Sequence, residues 1–206
     1  MTRAVPVEFA GPGGVVLRGQ RFGAGDRWVV LVHGAGRDLD GWRQLAVWMA
    51  GRGLTVLAFD LPGHGASDDP WDPQLAVPTL MAAVSFARSE GSRKVHLVGE
   101  GVGAVAALAV AADGSTDIAS VAALSPQADD RVATVGDVRE ARVPKLIMVG
   151  SLGRTNAEFA EVVFRGAIGP CEMARFPVAK QGTDLIHGEW GPQVREKLLA
   201  HVLRQG

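Results

Sequence analysis

The 206-residue sequence is short of the features that mark several protein classes. It has one cysteine, Cys171, which excludes an internal disulfide and fits a reducing compartment. That residue reads as a small buried hydrophobe at the start of a late strand. Charge of one sign is not in excess: 21 Lys and Arg stand against 22 Asp and Glu, a formal net charge of −1. No basic run exceeds the pair Arg93-Lys94. The electrostatic argument for a nucleic-acid partner or an anionic membrane surface is therefore missing. No apolar run reaches membrane-spanning length, and the opening "MTRAVPVEFAGPGG" lacks the hydrophobic stretch of a signal peptide. The expectation is a cytoplasmic protein with no nucleic-acid and no membrane partner. Nothing in the pattern speaks to oligomeric state.

What is present is an ordinary globular composition, 47% hydrophobic and 21% charged, long enough for one substantial core. No repeat or linker divides it, so residues 1–206 read as a single domain. The segments alternate. "VPVEFA" and "GVVLRGQRF", joined by "GPGG", predict an antiparallel hairpin. "WVVLVHG", "LTVLAFD", "KVHLVGEG", "IASVAALSP", "VPKLIMVGS" and "CEMARFPV" predict further strands, mostly apolar throughout and hence covered on both faces. Between them, helical spacing falls at Asp40 to Ala50, at "PQLAVPTLMAAVSFARS" with Pro78 near its start, at Val102 to Ala112, at Thr155 to Arg165 and at Pro192 to Arg204. Strands alternating with crossover helices predict an α/β fold, a mostly parallel sheet of about eight strands with helices on both sides. In such sheets the ligand site lies at the carboxyl ends of the strands. The short connection from "SVAALS" to "VPKLIMVG" leaves no room for a helical lid.

Three motifs, "LVHGAG", "DLPGHGAS" and "GEGVG", occur in this order at the ends of successive strands. Together they resemble the α/β-hydrolase superfamily over nearly the whole chain, in particular its small, lidless esterase and dienelactone-hydrolase-like members. The resemblance implies a nucleophile elbow at Gly99-Glu100-Gly101-Val102-Gly103, between strand and buried helix. The family carries Ser, Cys or Asp at the apex, and this chain carries Gly101. Glycine cannot attack a carbonyl or hold a covalent intermediate, and it tolerates the strained backbone angles of the turn at little cost. The family's acid, three residues past the glycine that ends the strand "KLIMVG", would fall at Gly153, where there is no carboxylate. Asp129, next to Asp130, is the candidate for a migrated acid, with a plain solvated turn as the alternative.

The histidine implied by the resemblance is His187, in "GTDLIHGEW", expected to point at the elbow. The alternative is an exposed loop histidine. An oxyanion hole needs backbone only, so the amides of Ala35, after Gly34, and of Val102 remain candidates for holding a carbonyl oxygen. Glu100 either reaches the pocket beside Gly101 or packs aside, and Trp71 either lines the cleft or covers the core edge. His33 and His64 read as structural, through loop hydrogen bonds. Ser125 and Ser151 end neighbouring strands but sit on no elbow. The site expected is an apolar pocket with two aimed N–H donors and one histidine, with no metal and no cofactor. Two functions fit. One is a hydrolase-like protein with an incomplete triad that binds a small carbonyl-bearing or apolar ligand without serine-esterase chemistry. The other is a hydrolase or lyase acting on small esters, with His187 as general base and no acyl-enzyme.

Overall fold

The computed structural model describes residues 3–205. β1 (Val5–Ala10) and β2 (Val16–Phe22) form the predicted hairpin, joined by a 3-10 turn at Pro12–Gly14. β3 (Arg27–Val32) follows, then a 3-10 turn at Leu39–Trp42 and α1 (Arg43–Ala50). After β4 (Thr55–Phe59) come α2 (Ala76–Ser89), β5 (Lys94–Glu100), α3 (Val102–Ala112) and β6 (Ile118–Leu124). The chain closes with α4 (Val135–Arg139), β7 (Lys145–Gly150), α5 (Arg154–Gly166), β8 (Cys171–Phe176), α6 (Asp184–His187) and α7 (Gly191–Arg204).

The eight strands form one sheet in the order β1-β2-β4-β3-β5-β6-β7-β8. β2 pairs antiparallel with both β1 and β4, and every other pairing is parallel. The central strands are apolar on both sides because both sides are covered. Val30 and Val32 face a core shared with α2 and α3, while Val29 and Leu31 face one shared with α1 and α7. α3 has almost no exposed residue, being wedged between the sheet, α2 and α4. Its sequence, VGAVAALAVAA, is accordingly apolar all round.

Two short helices lie outside the expected elements. α4 is nucleated by a capping box, in which the Thr134 hydroxyl accepts from the Asp137 amide and the Asp137 carboxylate accepts from the Thr134 amide. It packs against α3 and α5 and roofs nothing, so the β6–β7 connection is lidless as expected. α6 converts the expected histidine loop into one helical turn, with consequences for the site. Pro78 sits in the first turn of α2, where its missing N–H has no helical partner to lose.

Candidate functional site

β5 ends at Glu100 and α3 begins at Val102, so the whole reversal is made at Gly101. Its backbone angles, φ 56° and ψ −123°, lie in a region that side-chain-bearing residues enter only under strain. The flanking glycines have a different reason. A Cβ on Gly99 would lie 2.4 Å from Gly103 O, and one on Gly103 would lie 2.4 Å from His33 O. The outer glycines therefore let β5, α3 and β3 approach backbone to backbone, whatever stands at the apex. A Cβ at 101 itself meets only Gly34 Cα at 3.5 Å and Gln127 Oε1 at 3.8 Å. The apex has room for a side chain and carries none.

A cleft of about 130 Å³ opens over this turn. It is bounded by Gly34, Ala35 and Arg37 from the loop after β3, by Glu100 and Gly101, by Ser125 and Gln127 after β6, and by Asn156, Gln181 and Gly182. Apart from Ala35, the lining side chains are polar, which corrects the expected apolar pocket. Strand ends surround the cleft, and strand ends release their backbone groups to loops that must bond through side chains.

Three side chains fix the donor side of the cleft. The His33 ring is buried; its Nδ1 donates to Gly34 O (2.8 Å) and its Nε2 accepts from the Leu61 amide (2.9 Å). Burial lowers its pKa to about 4, so the ring is neutral near pH 7. His64 Nε2 accepts from the Gly36 amide at 3.1 Å. Asp60 accepts from the amides of Leu39 (2.8 Å) and Ala66 (2.9 Å), tying the "DLPGHGAS" loop to the one after β3. The Ala35 amide, held in this frame, has no hydrogen-bond partner among the described residues. Val102 is the first residue of α3, so no carbonyl four residues back serves its N–H.

The far wall is a loop clamped by two buried side chains. Glu100 Oε2 accepts from the Thr183 amide at 2.6 Å, and Ser125 Oγ accepts from the Gly182 amide at 2.9 Å. Ser125 carries φ 46°, the one positive φ outside glycine among the described residues, and Asn156 Nδ2 holds its carbonyl at 2.9 Å. Gly182 turns the loop at φ 54°, and a Cβ there would lie 2.1 Å from Glu100 Oε2. Glu100 is 3% exposed, and its Oε1 has no partner. Burial pushes this carboxyl above the ordinary glutamate range, against the opposing pull of the Thr183 hydrogen bonds and of Arg37.

The clamp brings forward a residue that sequence reasoning missed. Gln181 lines the cleft, its Nε2 donating to Gly150 O at 2.9 Å and to Ala179 O at 3.2 Å. That nitrogen lies 1.9 Å from where a Cβ on Gly153 would be. Position 181 thus lines the cleft and also reaches position 153. Its signal in the sequence is Gly182, the turn residue that stops the chain immediately after it.

Three expected site residues stand elsewhere. His187 is exposed on α6, with Nε2 bonded to Gly41 O at 2.9 Å and Nδ1 3.1 Å from Gln44 Oε1. The helical turn from Asp184 carries it past the cleft, and it does not line it. Asp129 bonds the Arg131 guanidinium at 2.9 and 2.7 Å and the Arg131 amide at 3.1 Å, a local turn outside the cleft wall. That partner holds its carboxyl below the ordinary aspartate range. Trp71 packs edge-on against the His64 ring and over Gly63, covering the core edge. Ser151 Oγ donates to Phe176 O at 3.1 Å, away from the apex. Among the described residues no group of three or more His, Cys, Asp or Glu is placed to hold a metal ion, and no helix is long and apolar enough to cross a membrane.

A sheet of this order, with a sharp strand-to-helix reversal after β5 and loops converging on it, is matched by the family model described as "Alpha/beta hydrolase family" over residues 29–202. The chain belongs to that family. Among solved α/β-hydrolase-like structures, an esterase from Pyrococcus furiosus superposes with TM-score 0.82 at 16% identity, covering 98% of this chain and 93% of its own. An alpha/beta hydrolase from Penicillium sp. sh18 gives TM-score 0.85 at 17% identity, covering 98% and 99%. By sequence the α/β-hydrolase is 36% identical over 127 residues to the dihydrolipoyllysine-residue acetyltransferase component of the acetoin cleaving system of Cupriavidus necator. That match covers 60% of this chain and 33% of the curated relative, so it spans about a third of that protein's length.

Proposed function

We propose that this α/β-hydrolase is a binding protein that holds a small, polar, carbonyl-bearing molecule in the elbow cleft without cutting it. One observation carries the reading. The family resemblance puts nucleophile and acid at positions 101 and 153, and we assign the base position to 181, which lines the cleft beside 153; these hold Gly101, Gly153 and Gln181. Glycine offers no attacking atom, and a neutral amide cannot accept a proton from a hydroxyl at physiological pH. What survives is backbone. The Ala35 and Val102 amides are free to hold an oxygen, and donors aimed in this way bind a carbonyl whether or not a nucleophile lies beneath it.

The polar wall of Ser125, Gln127 and Asn156 supports a polar ligand head group over an acyl chain. His187 is engaged by Gly41 and Gln44, so the alternative with His187 as general base has no geometric support. The test is incubation of the native protein with a fluorophosphonate probe and with p-nitrophenyl acetate. Neither labelling nor turnover above buffer is expected. Labelling at any serine, or ester turnover abolished by changing one, would overturn the reading.

A further inference from the structure

We infer that His64 holds the turn at Ala35-Gly36 in one of two forms, according to whether its ring carries a proton, and so switches the donor wall of the cleft with pH. Two loops clasp one another through imidazoles. His33, just after β3, accepts from the Leu61 amide in the loop after β4, and His64, from that second loop, accepts through Nε2 from the Gly36 amide at 3.1 Å. The hydrogen of the His64 ring is on Nδ1, which lies 2.9 Å from Pro62 O, a group that can only accept. The two rings share this tautomer and differ in exposure. His33 is sealed in the core, whereas His64 is half-buried and open to a proton. Histidine is the side chain that ordinarily changes charge between about pH 5 and 8.

The turn itself has two forms to choose from. The Arg37 amide closes it onto Gly34 O at 3.2 Å, with Ala35 and Gly36 as the central residues. Gly36 has φ 71° while Ala35 keeps a negative φ, the signature of a type II turn. A type I turn joins the same ends with the central peptide turned over. In the type II form the Gly36 N–H points at His64 Nε2. Turned over, that peptide offers the ring the Ala35 carbonyl instead. A neutral Nε2 accepts and selects the first form. A protonated Nε2 donates, meets the Gly36 N–H as donor against donor, and bonds Ala35 O in the second. Glycine at 36 permits both values of φ, and nothing lies within 4 Å of where its Cβ would stand. Ala35 lines the cleft, so the exchange reverses a peptide dipole beside the amide assigned to hold a carbonyl. The other titratable and charged groups at this corner are committed. The His33 ring, 5.0 Å away between centroids, is neutral near pH 7. Asp60 holds the Leu39 and Ala66 amides, and Asp38 holds the Asp40 amide. Arg37 pairs with Asp184 and Asp68 with Arg18, while Trp71 covers His64 edge-on without charge.

The experiment is an NMR titration of the isotope-labelled full chain, without ligand, from about pH 8 to about pH 5.5. At the upper end a nitrogen–nitrogen coupling through the hydrogen bond is expected between Gly36 and His64 Nε2, and it is expected to vanish at the lower end. The Ala35 carbonyl and Gly36 amide shifts are expected to move with the same midpoint as the His64 ring. Gly41, which His187 touches, reports that other histidine separately. His64→Gln places an amide there, able to accept or donate without titrating, and is expected to abolish the pH response of Ala35 and Gly36. Gly36→Ala strains the type II form alone, since only that form needs positive φ. It is expected to raise the His64 midpoint by roughly half to one pH unit without touching the ring. A coupling absent at the upper pH, a His64 ring that stays neutral throughout, Ala35 and Gly36 shifts that ignore its midpoint, or an unchanged midpoint in Gly36→Ala would overturn the proposal. No ligand enters these measurements, so they stand or fall apart from the binding reading.

Discussion

Placing a methyl group on Gly101 isolates the backbone strain of the elbow from everything else. At φ 56° and ψ −123° a non-glycine residue is strained, at a cost of roughly 1–3 kcal/mol. Crowding adds little, because the new Cβ would meet its nearest neighbours at 3.5 and 3.8 Å, ordinary contact distances. Replacing glycine by alanine also narrows the unfolded ensemble, which returns about 0.4–1 kcal/mol. The net expectation for Gly101→Ala is a loss of about 1–2 kcal/mol, or roughly 2–8 °C in Tm for a chain of this size. Gly51 supplies the control. It caps α1 with φ −64° and ψ −6°, and a Cβ there meets carbonyl oxygens at 3.5 and 3.6 Å. Gly51→Ala is expected to be neutral or slightly stabilising. Urea unfolding of both variants, with the slopes compared, is the assay. If Gly101→Ala proves as stable as the parent, the strained elbow is not a feature of the folded protein and the assignment of position 101 fails.

Three further outcomes are expected. Gly103→Ala drives a methyl to 2.4 Å from His33 O, a backbone atom that cannot step aside, so its loss of stability should exceed that of Gly101→Ala, measured in the same unfolding series. Lys145 is buried, and its ammonium donates to Ala141 O (2.6 Å), Val143 O (2.9 Å) and Ile168 O (2.7 Å). Lys145→Met strands those carbonyls and should cost about 2–3 kcal/mol in urea unfolding; a change under about half a kcal/mol would contradict this. Stability should also fall on mild acidification. Burial lowers the pKa values of His33 and His201 to about 4 and of His96 to about 3. The unfolded chain therefore takes up protons below pH about 6.5 that the folded chain refuses, and each ring contributes a loss of about 2 kcal/mol between pH about 7.5 and about 5. Glu100 and Asp60, raised by burial, oppose this because the folded state keeps their protons longer. Three rings against two carboxyls leave a net loss, and a flat or rising profile from pH about 6.5 to about 5 would contradict it.

The frame of the molecule was legible because its signals are dense and local. Continuous apolar runs gave the six parallel strands, and the spacing of "GEGVG" located a reversal whose outer glycines prove to be steric necessities. Residue identity alone misled in the loops. The resemblance of "GTDLIHGEW" to the family's histidine loop points to His187, yet one helical turn from Asp184 rotates it onto Gly41 and Gln44. Glutamine carries no catalytic signature, and the place of Gln181 depends on long-range clamping of the next two residues, Gly182 by Ser125 and Thr183 by Glu100, 57 and 83 positions earlier. Asp129 is an acid with a nearer partner two residues away, which no count of carboxylates reveals. The expected apolar pocket became polar for a reason of the same kind: strand ends converge there, and their loops hold one another through hydrogen bonds.

The most direct measurement rebuilds what the chain lacks. Gly101→Ser alone places a hydroxyl at the apex with no base and no acid, whereas adding Gln181→His and Gly153→Asp sets an imidazole where Gln181 Nε2 now touches position 153. Burst kinetics with p-nitrophenyl acetate are expected to show nothing for the native chain or Gly101→Ser and an acyl-enzyme burst for the triple variant. A burst from Gly101→Ser unaided would mean that a working base and acid are already in place, and a burst from the native protein would mean that a nucleophile stands outside position 101; either would contradict a cleft emptied of its chemistry.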